Sequence, residues 1–134
     1  MEHENITKHI LAAAFEVMNE IGHGFLESVY ERSLLIALQS KGLKVKSQVP
    51  IAVMFRNQVV GEFFADLLID DSVIIELKAT KALAPEHQAQ VINYLNATEI
   101  EVGLLINFGS PKIEYHRLVR KRGFRPSDTE PCPF

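Results

Sequence analysis

The sequence lacks the features that several classes of protein need. It has one cysteine, Cys132, which cannot form an intrachain disulfide or a cysteine-based zinc site by itself. No apolar run approaches the roughly 20 residues of a membrane-spanning helix. The N-terminus lacks the basic segment followed by a long apolar core that is typical of a secretory signal. The five histidines show no HxH or HExxH spacing, which argues against a His-based metal site. We therefore expect a cytoplasmic protein that contacts no membrane.

The composition is that of an ordinary globular domain. The chain has 134 residues, of which 47% are apolar and 23% are charged, so one domain can bury its own core. We expect a single domain over residues 1–125 and a flexible, proline-containing tail over residues 126–134. The formal net charge of −3 argues against a uniformly basic surface for nucleic acid but leaves room for a local basic patch.

The spacing of apolar residues changes between helical and strand periods along the chain. Glycines follow both N-terminal helical segments, and Arg56-Asn57-Gln58 is a plausible hairpin turn. The order is helix, helix, three strands, helix, two strands, which predicts an α/β fold with a mixed central sheet of about five strands flanked by helices. The predicted elements are helices over 6–21 and 26–41, strands over 45–55, 59–68 and 73–79, a helix over 85–96, and strands over 102–108 and 113–119.

Charged residues interrupt the apolar strands in the middle of the chain. Asp66 lies within the second predicted strand, and Glu76 and Lys78 lie within the third. Because side chains alternate between the faces of a strand, Glu76 and Lys78 share a face. An unpaired buried charge costs several kcal/mol, so these residues are expected to pair or to hold a metal. The alternative is a partly exposed edge-strand ion pair worth less than about 1 kcal/mol.

Four motifs in sequence order carry a resemblance to a known family. They are Gly24-Phe25-Leu26-Glu27-Ser28-Val29-Tyr30, Asp66 with Glu76-Leu77-Lys78, His87-x-x-Gln90 followed by Asn93-Tyr94-Leu95, and GLLINFG over 103–109. Over about residues 6–120 the chain resembles the PD-(D/E)XK nuclease superfamily, and more closely the small bacterial and archaeal GxxExxY proteins. Ala65 stands where the superfamily's name has a proline. The resemblance implies a restriction-endonuclease-like core and a Mg²⁺-dependent nuclease.

The resemblance also implies a catalytic set, which consists of Glu27, Asp66, Glu76, Lys78 and Gln90. Phosphodiester hydrolysis needs a hard cation, and Mg²⁺ (or Mn²⁺) prefers oxygen ligands. The expected ligands are Asp66, Glu76, the Leu77 carbonyl and, directly or through water, Glu27. Lys78 would orient or deprotonate the water or stabilise the phosphate, and Gln90 would position Lys78 or contact a phosphate.

Simpler structural roles are open for some of these residues. Glu27 near a helix N-terminus would also be a favourable partner for the helix dipole, and Gln90 would fit an ordinary solvated helix face. Tyr30 and Tyr94 are expected to be core residues with hydrogen-bonded hydroxyls rather than catalysts.

The expected partner is nucleic acid, either DNA or RNA. The candidates for contacts with it are His87, Arg117, Arg120, Lys121 and Arg122, although the basic segment would equally form a solvated face. The leading function is a nuclease that uses metal-activated water. The alternative is a non-catalytic nucleic-acid-binding or regulatory module with the same fold. A third possibility is a homo-oligomer, or a complex with a protein partner, joined through the sheet edge near Pro50.

Overall fold

The computed structural model describes residues 3–120 of the chain. The predicted order of elements is confirmed, and no predicted end differs by more than two residues from the observed one. The predicted tail, Lys121 and Arg122 lie outside the described residues. No helix within residues 3–120 is long and apolar enough to cross a membrane. The elements are α1 (Glu4–Ile21), α2 (Glu27–Ser40), β1 (Val45–Phe55), β2 (Gln58–Ile69), β3 (Val73–Lys78), α3 (Pro85–Thr98), β4 (Val102–Asn107) and β5 (Glu114–Val119).

The five strands form one sheet in the order β1-β2-β3-β4-β5. β3 and β4 run parallel, and the other neighbouring pairs are antiparallel. A parallel pair needs a crossover connection, and α3 supplies it. α1 and α2 pack on one face of the sheet and α3 packs on the other. β3 therefore lies in the middle of a covered sheet, which explains why its apolar residues form a continuous run.

The β1–β2 hairpin is longer than the rest of the sheet. Its turn residues Arg56 and Asn57 both have left-handed backbones (φ 49° and 64°), as in the two-residue turns that match strand twist. β1 pairs with β2 along its length, whereas β3 pairs with β2 only over 67–69. Residues 49–64 therefore extend past β3 as a two-stranded projection, which we call the hairpin arm.

The hairpin arm turns toward α3. Val45 and Ile69 pack into the core beneath α1 and α2, whereas Ile51 and Ala65 pack into the core beneath α3. Gln48, which lies between these two parts of β1, has a left-handed backbone (φ 50°). The irregular edge that Pro50 predicted is thus present, because β1 is an edge strand that changes direction beside this proline.

Candidate active site

Where β2 and β3 separate, two side-chain carboxylates accept hydrogen bonds from backbone amides in place of the carbonyls of a regular strand pair. The Asp66 amide donates to Glu76 Oε1 (3.0 Å), and the Leu77 amide donates to Asp66 Oδ2 (2.8 Å). Asp66 is 9% exposed and Glu76 is 4% exposed. The last backbone pair before this point joins Leu67 to Ile75. We call this reciprocal pair of bonds the carboxylate interlock, and it fixes both acidic side chains by the geometry of the sheet.

Two further carboxylates come from α2. Glu27 is its first residue, and Glu31 follows one turn later. The Gln48 side-chain amide nitrogen donates to Glu31 Oε1 (2.8 Å) and also to Asp66 Oδ1 (3.3 Å). Burial, and next the charge of Asp66, raise the pKa of both Glu27 and Glu31. Four acidic side chains from three elements therefore converge at the carboxylate interlock.

Tyr30 fixes the loop that leads into α2. Its hydroxyl donates to the Gly22 carbonyl (2.6 Å) and accepts from the Phe25 amide (3.2 Å). Its ring stacks on Phe108 at 4.6 Å between centroids with an interplanar angle of 8°. The prediction of a core tyrosine with a bonded hydroxyl is confirmed. The loop before Glu27 is thus attached to the core, which places Glu27 near Asp66.

Glu76 is the most strongly perturbed acid of the site. Burial, and next the charge of Asp66, raise the pKa of Glu76 to about 8, against the opposing effects of the Asp66 amide and Lys78. The metal-free site therefore holds a proton on Glu76 at neutral pH. Carboxylate oxygens are the ligands that hard divalent cations prefer, so this donor set fits such a cation in its chemistry. Within residues 3–120, however, no three His, Cys, Asp or Glu side chains have metal-binding geometry.

Lys78 ends β3 close to these acids. The register of the strand puts it on the same face as Glu76. Its charge lowers the pKa of both Glu27 and Glu76, yet it forms no ion pair with a residue in the range 3–120. The side chain is half-buried. Its ammonium group is therefore near the carboxylates without being bonded to one of them.

α3 brings His87 and Tyr94 to the same region. His87 Nδ1 accepts from the Ala84 amide (3.0 Å), and His87 lowers the pKa of Glu27. Gln90 Nε2 donates to the Tyr94 hydroxyl (3.0 Å). Burial, and next the charge of Glu76, raise the pKa of Tyr94. Tyr94 is thus the core tyrosine with a bonded hydroxyl that was predicted, and Gln90 bonds to it rather than to Lys78.

Arg117 lies on β5, and Arg120, just after β5, lies at the opposite end of β4 from Lys78. Lys78 pairs with Asn107 at one end of β4, and Val119 pairs with Val102 at the other end. The Arg120 amide donates to the Glu101 carbonyl (2.7 Å) at that second end. A role of these arginines in binding nucleic acid stays a prediction.

Fold and site together define the class of protein: a mixed five-stranded sheet carries buried acids and a lysine where its central strand ends. The sequence-family model of the PD-(D/E)XK nuclease superfamily matches residues 4–118 of this chain. The chain therefore belongs to the PD-(D/E)XK nuclease superfamily.

Solved structures share the fold at low sequence identity. SSO0001 has a TM-score of 0.56 and 15% identity, with 88% of this chain and 60% of that chain covered. The alkaline exonuclease LHK-Exo from Laribacter hongkongensis has a TM-score of 0.52 and 11% identity, with 90% of this chain and 72% of that chain covered. At such identities the likeness concerns the fold alone. The comparison with curated proteins found no match.

Metal-free protein is expected to lose stability as the pH rises between about 4.5 and 8. In the folded state the pKa of Glu76 is about 8, compared with an ordinary value of 4.5. Between these values the unfolded chain has released the proton that the folded chain keeps, so stability falls by up to about 1.4 kcal/mol per pH unit. Urea unfolding in EDTA at several pH values measures this slope. Glu76→Gln should remove the part of the slope that comes from Glu76. Equal slopes in the wild type and the variant would contradict the raised pKa of Glu76.

Proposed function

We propose that this protein is a metal-dependent nuclease that hydrolyses phosphodiester bonds of DNA or RNA. The carboxylate interlock carries the proposal, because it gathers buried acids: burial, and next the charge of Asp66, raise the pKa of Glu76 to about 8. A bound cation would offset the repulsion between these crowded carboxylates and favour their ionised forms. Membership of a nuclease superfamily supports the same reaction class. We also propose that the chain is a GxxExxY protein, on the motif over 24–30 whose Tyr30 fixes the approach to Glu27.

The interlock leaves specific oxygens for a metal. Asp66 Oδ2 and Glu76 Oε1 accept backbone amides, and Asp66 Oδ1 accepts only the long bond from Gln48 (3.3 Å). Asp66 Oδ1 and Glu76 Oε2 would therefore bind Mg²⁺ or Mn²⁺. The Leu77 carbonyl and Glu27 would complete the protein ligands, with water in the remaining positions. When bound, the metal would lower the pKa of an attacking water and neutralise charge that develops on the phosphate.

The other residues of the site would position the water and the phosphate. Lys78 would donate hydrogen bonds to the attacking water or to a non-bridging phosphate oxygen, since its ammonium group is not paired with a carboxylate of residues 3–120. His87 Nδ1 accepts an amide hydrogen, so Nε2 is the ring nitrogen that would donate a hydrogen bond to a phosphate oxygen. Gln90 would hold the Tyr94 hydroxyl in place beside Glu76.

A cleavage assay tests the proposed function. Supercoiled plasmid, single-stranded DNA and structured RNA are incubated with Mg²⁺ or Mn²⁺, with and without EDTA. We expect metal-dependent cleavage that Lys78→Met slows by about 10²- to 10⁴-fold. Lys8→Met, at an exposed position of α1, is the matched control and should cut as the wild type does.

The same assay, with a measurement of binding, distinguishes the nuclease from the alternative function. Salt-sensitive binding of nucleic acid without cleavage would favour a non-catalytic nucleic-acid-binding module that keeps the fold. The absence of both cleavage and binding would contradict both functions.

A further inference from the structure

A large groove lies between the hairpin arm and α3. Its volume is about 1200 Å³. The arm forms one wall with Phe55, Phe63 and their neighbours, and α3 forms the other wall with Gln90, Asn93 and the buried Tyr94. Phe55 is 58% exposed and Phe63 is 46% exposed. Large exposed apolar side chains that line a concavity are typical of a binding surface.

The lining of the groove suits nucleobases better than phosphates. Arg56, which lies over the Phe55 ring at 4.9 Å, is the one cation that residues 3–120 contribute to the lining, against the carboxylates of Glu86 and Glu99. A wall with this charge balance would repel a phosphate backbone. Aromatic rings stack on the faces of unpaired bases, and amide side chains bond to their edges. The groove offers such amides from four residues, namely Asn57, Gln90, Asn93 and Asn96.

The groove is continuous with the candidate active site. The Phe63 and Tyr94 rings are 5.9 Å apart between centroids, and Phe63 precedes Asp66 by three residues on β2. Tyr94 and Gln90 line the groove and share a hydrogen bond. Tyr94 also lies close enough to Glu76 and Asp66 for their charges to raise its pKa, after the larger effect of burial. A phosphodiester bond placed at the carboxylates would therefore have its neighbouring bases at the mouth of the groove.

We propose that this groove receives unpaired bases of a single-stranded nucleic acid, which makes single strands the preferred substrate. The inference rests on the proposed function for the position of the scissile bond. In a duplex the bases are stacked and paired, so their faces are not available to Phe55 and Phe63. A single strand exposes both faces and edges, and each stacked base strengthens binding.

Fluorescence anisotropy in EDTA tests the groove without cleavage. The probes are a labelled oligothymidylate, an abasic strand of the same length and a duplex of the same length. The oligothymidylate should bind more tightly than the other two probes. Phe55→Ala and Phe63→Ala should each weaken its binding by about 5- to 100-fold while leaving the abasic strand unaffected. Phe15→Ala, at a residue that is 45% exposed on α1, is the matched control and should change nothing.

Two results with the Phe55 and Phe63 variants would overturn the inference. One is that Phe55→Ala and Phe63→Ala leave binding of the oligothymidylate unchanged. The other is that these substitutions convert a dimer of the free protein to a monomer in size-exclusion chromatography, because the groove would then hold a second copy of the chain.

Hydrolysis of bis(p-nitrophenyl) phosphate keeps this test distinct from that of the nuclease function. This small diester has no base, so the Phe55 and Phe63 variants should hydrolyse it as fast as the wild type does. A protein that hydrolyses the diester but does not distinguish the oligothymidylate from the abasic strand would keep the nuclease function and overturn the groove. A protein that needs Phe55 and Phe63 for single-strand binding but hydrolyses nothing would support the groove and contradict the nuclease.

Discussion

Glu76→Gln is expected to abolish metal-dependent cleavage while the protein stays folded. The glutamine carbonyl oxygen can still accept the Asp66 amide that Glu76 Oε1 accepts at 3.0 Å, so the carboxylate interlock keeps its shape. The substitution removes one anionic ligand from the proposed metal site. Such ligation contributes several kcal/mol of transition-state stabilisation, which corresponds to a rate loss of about 10³-fold or more. Initial rates on the best substrate of the cleavage panel measure it.

Unfolding experiments separate this loss from a folding defect. In EDTA at pH 8, Glu76→Gln should be at least as stable as the wild type, because burial no longer opposes ionisation at this position. Mg²⁺ should raise the melting temperature of the wild type more than that of the variant, since ligands stabilise the state that binds them. Glu20→Gln on the exposed face of α1 is the control. Near-normal cleavage by Glu76→Gln would contradict the role of this carboxylate.

The fold was predictable because each element has its own period in the sequence. β3 and β4 are covered on both faces, so they appear as continuous apolar runs, whereas α1 and α2 show helical spacing. The alternation also predicted that Glu76 and Lys78 share a face. The length of the hairpin arm beyond β3 was not predictable, because it depends on where β2 and β3 stop pairing rather than on any local pattern.

The candidate site was predictable only where its residues lie on one strand or in one motif. Glu31 was missed although it follows Glu27 by four residues on α2, a spacing that puts both on one helix face. Gln48 carried no signal, because its contacts depend on its left-handed backbone and on where α2 packs. Gln90 was expected to position Lys78 or to contact a phosphate; in the structure its amide nitrogen donates to the Tyr94 hydroxyl, one turn away on the same helix. Local partners of this kind compete with the long-range contacts that a motif suggests.

A buried asparagine holds the segments that follow β3 and β4 together. Asn107 Oδ1 accepts the amides of Thr80 and Gly109 (both 3.0 Å), and Nδ2 donates to the Thr80 carbonyl (2.9 Å) and to Glu114 Oε1 (2.9 Å). The Phe108 amide donates to the Lys78 carbonyl (2.9 Å). The end of β3 that carries Lys78 is therefore held by the end of β4.

Gly109→Ala is expected to destabilise the protein by about 3 kcal/mol, because a Cβ at this position would overlap the backbone nitrogen and oxygen of Thr80. The midpoint of urea unfolding measures the effect. Gly61→Ala in the hairpin arm is the matched control, since its Cβ would meet the exposed Phe63 ring at 3.2 Å and Val53 Cβ at 3.8 Å but no backbone, and we expect a change within about 0.5 kcal/mol. An unchanged midpoint for Gly109→Ala would contradict the close approach of the two segments.

The same substitution should also lower activity in the molecules that remain folded. Relief of the overlap must move the backbone at Thr80, two residues after Lys78, and the Phe108–Lys78 hydrogen bond transmits that movement to the end of β3. A displacement of about 1 Å at a catalytic group can cost about 10²-fold in rate. Cleavage measured well below the unfolding transition and normalised to the folded fraction tests this coupling. A normal rate per folded molecule would mean that Lys78 is held by β3 alone.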